Sequence, residues 1–328
     1  VTRDSFRFNE TDSPLFNIKT FTDTTTEEAT RYLAGRAAFD FGEFKLGITG
    51  FNELMKTDVD VLTRLEVINK LDPSGNYTDF ISNNQSFETN TLGGQLLLEL
   101  PVSERFRFGT LFTAEFTDME DFNRDIDLYR FHLFGNYRSA NGRFGLNAML
   151  GEGLFDDSGE ESDGWKKGEY NIVAAYRSSD SLLLGGRFNY LTHPKGSLFF
   201  LFGKNEVALD ALLEQYWLEG MAELDLLKHM SAEQQKDYLL GKRHDLVRGL
   251  AQQNEWMLLA DIGAARVRRP EEDESVEFNA RATLFIPIEP VTLTISPYIE
   301  NSDLFRRWGV ELTGHKKGAR WSFGVDVA

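Results

Sequence analysis

From Glu104 to Leu191 the chain repeats one pattern five times, with apolar side chains at every second position and polar or charged ones between. Its clearest member is Arg105–Phe116, where Phe106, Phe108, Phe112 and Phe116 share a face with Thr110 and Ala114. Arg105, Arg107, Thr113 and Glu115 share the opposite face with Gly109 and Leu111. A period of two marks a β-strand with one apolar and one wet face. The same alternation runs through Asp127–Tyr137, Arg143–Leu150, Glu169–Arg177 and Leu182–Tyr190. Upstream it appears around Leu33–Phe41, Phe44–Ile48 and Leu92–Leu100. It resumes after Trp256 in Leu258–Ala264, Val276–Leu284, Val291–Ile295, Trp308–Leu312 and Trp321–Val327.

Two regions are weaker. Residues 1–29 read as a weakly structured N-terminal segment or a first strand, and within 52–87 the stretch Val61–Ile68 fits a strand or a short helix equally well. A third region has another texture. Across 204–255 the apolar positions Leu209, Leu213, Tyr216, Gly220, Leu224 and Leu227 recur at helical spacing. Ser231 followed by Gln234 fits a capping box ahead of a second stripe, Leu239, Leu246 and Leu250. An α-helical hairpin inserted between two blocks of strands, 30–203 and 256–328, is therefore expected.

Composition turns this pattern into a membrane argument. The 328 residues include 27 Phe, 10 Tyr and 5 Trp, yet the mean hydropathy is −0.36. Apolar positions are diluted almost one for one by polar ones. No uncharged apolar run reaches the ~18 residues of a membrane helix, so a spanning structure must be a closed barrel. Thirteen clear strands and up to three doubtful ones predict an all-β fold, a transmembrane antiparallel β-barrel of about 14–16 strands. Short turns (Pro101–Glu104, Ser139–Gly142, Ser178–Ser181, Pro287–Pro290, His315–Gly318) alternate with longer acidic loops such as Glu152–Gly168 and Arg268–Ser275. If every short turn is periplasmic, the last strand ends outside. Either a terminal strand is missing and the helical insertion is periplasmic, or Ser197–Phe202 does not span and the insertion is an outer loop able to fold into the lumen.

The formal charge of −17 argues against a nucleic-acid partner, and with no cysteine there is neither a disulfide nor a thiolate metal site. No signal peptide is visible at Val1–Arg7, so a barrel would have to be a mature or trimmed chain. The five histidines have no metal spacing, and neither a Gly-x-Ser-x-Gly elbow nor a phosphate loop is present. His132 falls on a polar strand face near Asn136, but without the surrounding motif of a barrel phospholipase. No enzymatic activity, cofactor or metal is expected.

The strand pattern over 30–203 and 256–328 resembles Gram-negative outer-membrane β-barrels of porin-like type, an architectural likeness without a subfamily motif. Tyr129, Tyr137, Tyr170, Tyr176, Tyr190, Trp256, Trp308 and Trp321 then resemble the aromatic girdles that flank a lipid-facing band. The strand register sends Arg36, Arg105, Arg107, Arg130, Arg143, Arg177, Arg187, Arg281, Arg307 and Arg320 to the lumen, with Glu99, Glu115, Glu169, Glu277 and Glu311. The likeness implies an outer-membrane channel or exporter pore passing small polar or anionic solutes through an Arg-lined lumen, in contact with outer-membrane lipid and lipopolysaccharide. Acidic loops would suit divalent-cation bridges to that lipopolysaccharide. The alternative is a structural or docking component of an envelope assembly, its 204–254 helices binding a periplasmic or surface protein. Whether the lumen encloses water or a plug is open at this point.

Overall fold

The structure is a computed structural model that describes residues 2–12, 16–69, 77–119, 121, 124–157, 165–190, 194–204, 208–253, 255–267, 275–289, 291–301, 306–316 and 319–327. Among the described residues, fifteen strands follow one another in a single antiparallel meander, each pairing with its neighbours in sequence. They are β1 (Thr2–Asp12), β2 (Phe16–Asp40), β3 (Lys45–Asn69), β4 (Tyr77–Ser103), β5 (Phe106–Met119), β6 (Arg124–Arg138), β7 (Phe144–Asp157), β8 (Trp165–Ser179), β9 (Leu182–Tyr190) and β10 (Pro194–Phe202). After two helices, α1 (Ala208–Glu223) and α2 (Ala232–Ala251), come β11 (Met257–Val267), β12 (Ser275–Ile288), β13 (Val291–Asn301), β14 (Arg306–Lys316) and β15 (Ala319–Val327).

The alternation is realised as two faces of unlike chemistry. On β5, Thr113 and Glu115 are buried while Phe112 and Phe116 are more than 40% exposed. Leu33, Ile48, Leu96, Phe131, Leu150, Tyr176, Phe188, Leu198, Ile262, Trp308 and Leu312 extend this exposed apolar face around the sheet. So much contiguous apolar surface far exceeds the few hundred Å² that water tolerates. Phe106 to Phe116 spans ten residues, roughly 33 Å along the strand and about 25 Å once tilted, the height of a lipid-facing band. The fold is that of a transmembrane antiparallel β-barrel.

Its curvature is visible in what the helices touch. Tyr32 on β2 donates to the Lys228 carbonyl, and Thr292 on β13 donates to the Ala251 carbonyl at 2.8 Å. Laid flat, eleven strand spacings of ~4.8 Å would separate β2 from β13 by about 50 Å. A 16-residue helix is only about 24 Å long. The wall therefore rolls around the helices.

Strand lengths bring a surprise. β2, β3 and β4 run for 25, 25 and 27 residues, whereas β4 pairs with β5 only from Asn90 onward. The remainder stands about 40 Å beyond the rim as a four-stranded crown. β1 belongs to this crown alone, pairing with Asn17–Glu27 of β2. The wall proper is thus the fourteen strands β2–β15. Residues 52–87 looked ambiguous because most of them lie in the crown, where none of the described side chains from Leu54 to Glu88 is buried. With water on both faces, nothing imposes a period of two.

The connections 41–44, 104–105, 139–143 and 180–181, like those that join β12 to β13 and β14 to β15, lie at one end of the wall. Gly42 and Gly142 adopt positive φ there (79° and 64°), which glycine tolerates without strain. Arg105 and Arg143 belong to these turns and are exposed, a correction to the expectation that they sit on a strand face. Ser197–Phe202 is part of β10, so it does take its place in the wall. The helical insertion therefore leaves and re-enters at the short-turn end, in place of a turn, and rises from there into the barrel.

Candidate functional site: the helical hairpin inside the barrel

The hairpin stands in the lumen on a partly dry foundation. Val173, Ala175, Leu183, Phe199 and Leu201 on the inner wall pack against Leu209, Leu212, Leu213 and Tyr216 of α1 and Leu250 of α2. The Phe199 and Tyr216 rings stack at 4.1 Å. A second cluster joins Leu111, Phe134 and Met149 to Leu224 and Leu226 just past α1. The inner face is thus apolar on one side, where uniform polarity was expected. The unbroken apolar runs Leu182–Leu184 and Leu198–Phe202 are its trace in the sequence, strand segments dry on both faces. α2 starts on the expected capping box: Ser231 Oγ accepts from Gln234 N, and the Gln234 side chain accepts from Ser231 N.

The tip, residues 224–230, adds polar contacts to the apolar seat of Leu224 and Leu226. A helix ends with carbonyls that lack intrahelical partners, and the wall supplies donors to those of this turn. Arg130 donates to Leu224 O at 2.7 Å, Gln95 to Leu226 O at 3.1 Å, and Tyr32 to Lys228 O. Deeper in α1, Asn171 donates to Trp217 O and Asn189 to Gly220 O. Lys228 Nζ sits between Glu115 at 2.9 Å and Asp225 at 2.5 Å, with the Phe51 ring 5.3 Å away. Burial alone would lower the Lys228 pKa, but Asp225 and Glu115 outweigh it and raise the value.

A second anchor gathers on Glu223. Its carboxylate takes Lys195 Nζ at 2.7 Å, Asn189 Nδ2 at 2.7 Å and Arg187 at 3.1 Å, while Arg187 also reaches Glu219 at 3.4 Å. Burial opposes the charge of Glu223, yet Arg187 and Lys195 prevail and hold its pKa below the ordinary 4.5. Glu219 and Glu223 occupy the end of α1, where the helix dipole disfavours carboxylates and no basic residue stands in the last turn. Such a misplaced acidic pair was a readable hint that cations from another element meet it. On α2, Arg243 pairs with Asp261 at 3.1 Å.

The expected lumen residues divide accordingly. Arg130 is 3.4 Å from Glu169, which His132 meets at 2.7 Å, all three buried beneath the tip. Arg187 and Glu115 belong to the anchors just described. Arg36 is solvent-exposed at the level of the tip; burial first, then its charge, lowers the pKa of His229. Arg107 lies 3.7 Å from Glu99 near the short-turn end, and Arg177 is half-buried on the inner face. Arg281, Arg307, Glu277 and Glu311 fall on the inner face of β12 and β14, away from the dry core. The side chains of Arg320 and Trp321 lie outside the described residues, as do most of the acidic-loop residues considered for cation bridging. Among the aromatics, Tyr137, Tyr170, Tyr176, Trp256 and Trp308 are exposed on the outer side. Tyr129 packs edge-on against Phe116 and Tyr190 against Tyr170, each pair at 5.8 Å.

No known sequence family matches this chain, and no curated protein matches it in sequence. Among solved structures it is similar to the FrpB iron transporter from Neisseria meningitidis (F3-3 variant), with a TM-score of 0.43 and 6% identity. That similarity covers 98% of this chain and 66% of the transporter, so the chain spans just under two thirds of its length. At this level of likeness nothing about cargo or mechanism passes from one protein to the other.

Proposed function

We infer that this chain is an outer-membrane transport barrel whose conduit is occupied at rest by its own α1–α2 hairpin. The observation that carries the reading is the kind of contact that seats the tip and the adjoining end of α1: hydrogen bonds and ion pairs from β2, β4, β5, β6 and β9. Polar contacts of this type exchange readily for water, unlike a continuous apolar core. A fourteen-stranded wall also encloses more space than side chains alone fill. The wall arginines invoked for anion selectivity have a different part in this reading: Arg130 and Arg187 neutralise carboxylates and hold the hairpin. A docking role for the helices has less support, because Leu209, Leu213, Leu224 and Leu227 of the α1 stripe are turned to the wall and buried.

Planar-bilayer recording tests the reading. The intact protein should conduct rarely and in short openings, and deletion of residues 205–254 should give long, stepwise openings. Absence of conductance in both forms, with the deleted protein folded by heat-modifiability, would sink the transport function.

A further inference from the structure

The hairpin leaves free space on the side of the barrel away from its dry core. Two adjoining cavities of about 440 and 330 Å³ lie between α1–α2 and the β10–β13 wall, sharing Glu219, Lys236, Leu239, Arg243, Asp261 and Asn279. Most of the charges there are already matched: Arg243 with Asp261, and Arg187 with Glu219 and Glu223. Arg281 is not. Among the described residues no carboxylate lies within ion-pair distance of its guanidinium, which instead sits 5.0 Å from the Tyr298 ring centroid on the neighbouring strand. Arg307 flanks the same ring at 5.7 Å. The Tyr298 hydroxyl and the Ser197 hydroxyl are both buried without a hydrogen-bond partner, although each belongs to a residue lining these cavities. An unpartnered buried hydroxyl is costly and calls for an explanation.

We propose that Arg281, the Tyr298 hydroxyl and Lys236 form a binding site in this side passage for the carboxylate of a small organic acid. This rests on the transport reading and names the class of solute that the conduit takes up. A carboxylate fits the guanidinium fork in two-point fashion, gives Tyr298 the acceptor it lacks, and relieves the repulsion between Arg281 and Arg243. Glu300 lines the second cavity and faces β12 opposite Asn279. Its charge limits the site to one anionic group, so monocarboxylates are favoured over dicarboxylates.

The test is calorimetric titration of the full-length protein in detergent with lactate, and separately with succinate. Saturable lactate binding, weaker by about tenfold or more in Arg281→Gln and retained in part in Arg281→Lys, is expected. Glu300→Gln should raise succinate affinity without affecting lactate. Because Arg281→Gln is a wall substitution, its heat-modifiability is checked first, and Tyr298→Phe serves as a second variant that removes only the hydroxyl. No lactate binding by the unaltered protein, or binding indifferent to Arg281→Gln and Tyr298→Phe, overturns the proposal. Neither result touches the conductance of the hairpin deletion, so the site can fail while the transport reading stands. Lactate binding without conductance in any form would support the site and remove the transport reading.

Discussion

Neutralising Glu223 should unseat the hairpin by a measurable amount. In Glu223→Gln, Arg187 keeps only Glu219 at 3.4 Å and Lys195 loses its 2.7 Å carboxylate contact. Breaking a buried ion pair from one side costs about 3–5 kcal/mol. Glu223 retains 29% side-chain exposure, which favours the lower end, about 3 kcal/mol, or roughly a hundredfold shift toward the unseated state. The absence of cysteine allows a direct assay. Ala175 lies on the wall beneath α1, 2% exposed, so a maleimide reaches Ala175→Cys only when the hairpin moves away. Labelling should be about a hundredfold faster with Glu223→Gln present. The pH dependence has a definite sign. A carboxylate whose pKa is lowered on seating contributes above its ordinary 4.5 and loses that contribution as pH falls through the lowered value. Because maleimide attacks through the thiolate, rates are divided by that of the denatured protein at the same pH; so normalised, labelling of the otherwise unaltered Ala175→Cys protein should rise below pH 4.5, and Glu223→Gln should weaken that rise. Equal labelling rates in the two proteins at neutral pH, with the same acid profile, would refute the anchor.

Other expectations follow from the same contacts. A Cβ added at Gly220 would overlap the Asn171 amide, so Gly220→Ala should loosen the hairpin by about 1–3 kcal/mol; adding Asn171→Ala should recover part of the loss, read by the same labelling. Ser231→Ala removes the capping box of α2 and should cost about 1 kcal/mol, seen as faster amide exchange in the first turn of α2 but not in α1. Deleting residues 1–14 removes β1 from the crown alone and should leave heat-modifiability and the Ala175→Cys labelling rate unchanged. A collapse of heat-modifiability would place β1 in the wall instead.

The wall was legible because lipid on one side and protein or water on the other impose opposite demands on successive residues. Phe106, Phe112 and Phe116 display that demand openly. The α1 stripe was legible for a similar reason, and Ser231 with Gln234 marked a helix start through local hydrogen bonding alone. The crown was not, since Thr24, Asp60 and Asn84 meet water whichever way they point. Nor was the site. Arg130, Arg187 and Glu115 were placed on the inner face, but their partners Leu224, Glu223 and Lys228 lie far along the chain, and periodicity carries no information about such pairings. Leu183 and Phe199 left a trace in the apolar runs Leu182–Leu184 and Leu198–Phe202, but what covers the second dry face lies elsewhere in the chain.

The long β2–β3 ladder runs through 25 residue pairs without a bulge, from Phe16↔Asn69 in the crown to Asp40↔Lys45 at the turn. One register therefore governs two environments that differ in how strictly they enforce it. In the crown, a one-residue slip exchanges one wet face for another. In the wall, the same slip would turn Ile48 inward and Thr49 toward lipid. The lower half is thus the part that fixes alignment, and the crown inherits its pairing from the membrane-embedded half. A sheet of weak intrinsic preference, held out in water, owes its order to lipid some tens of ångströms below.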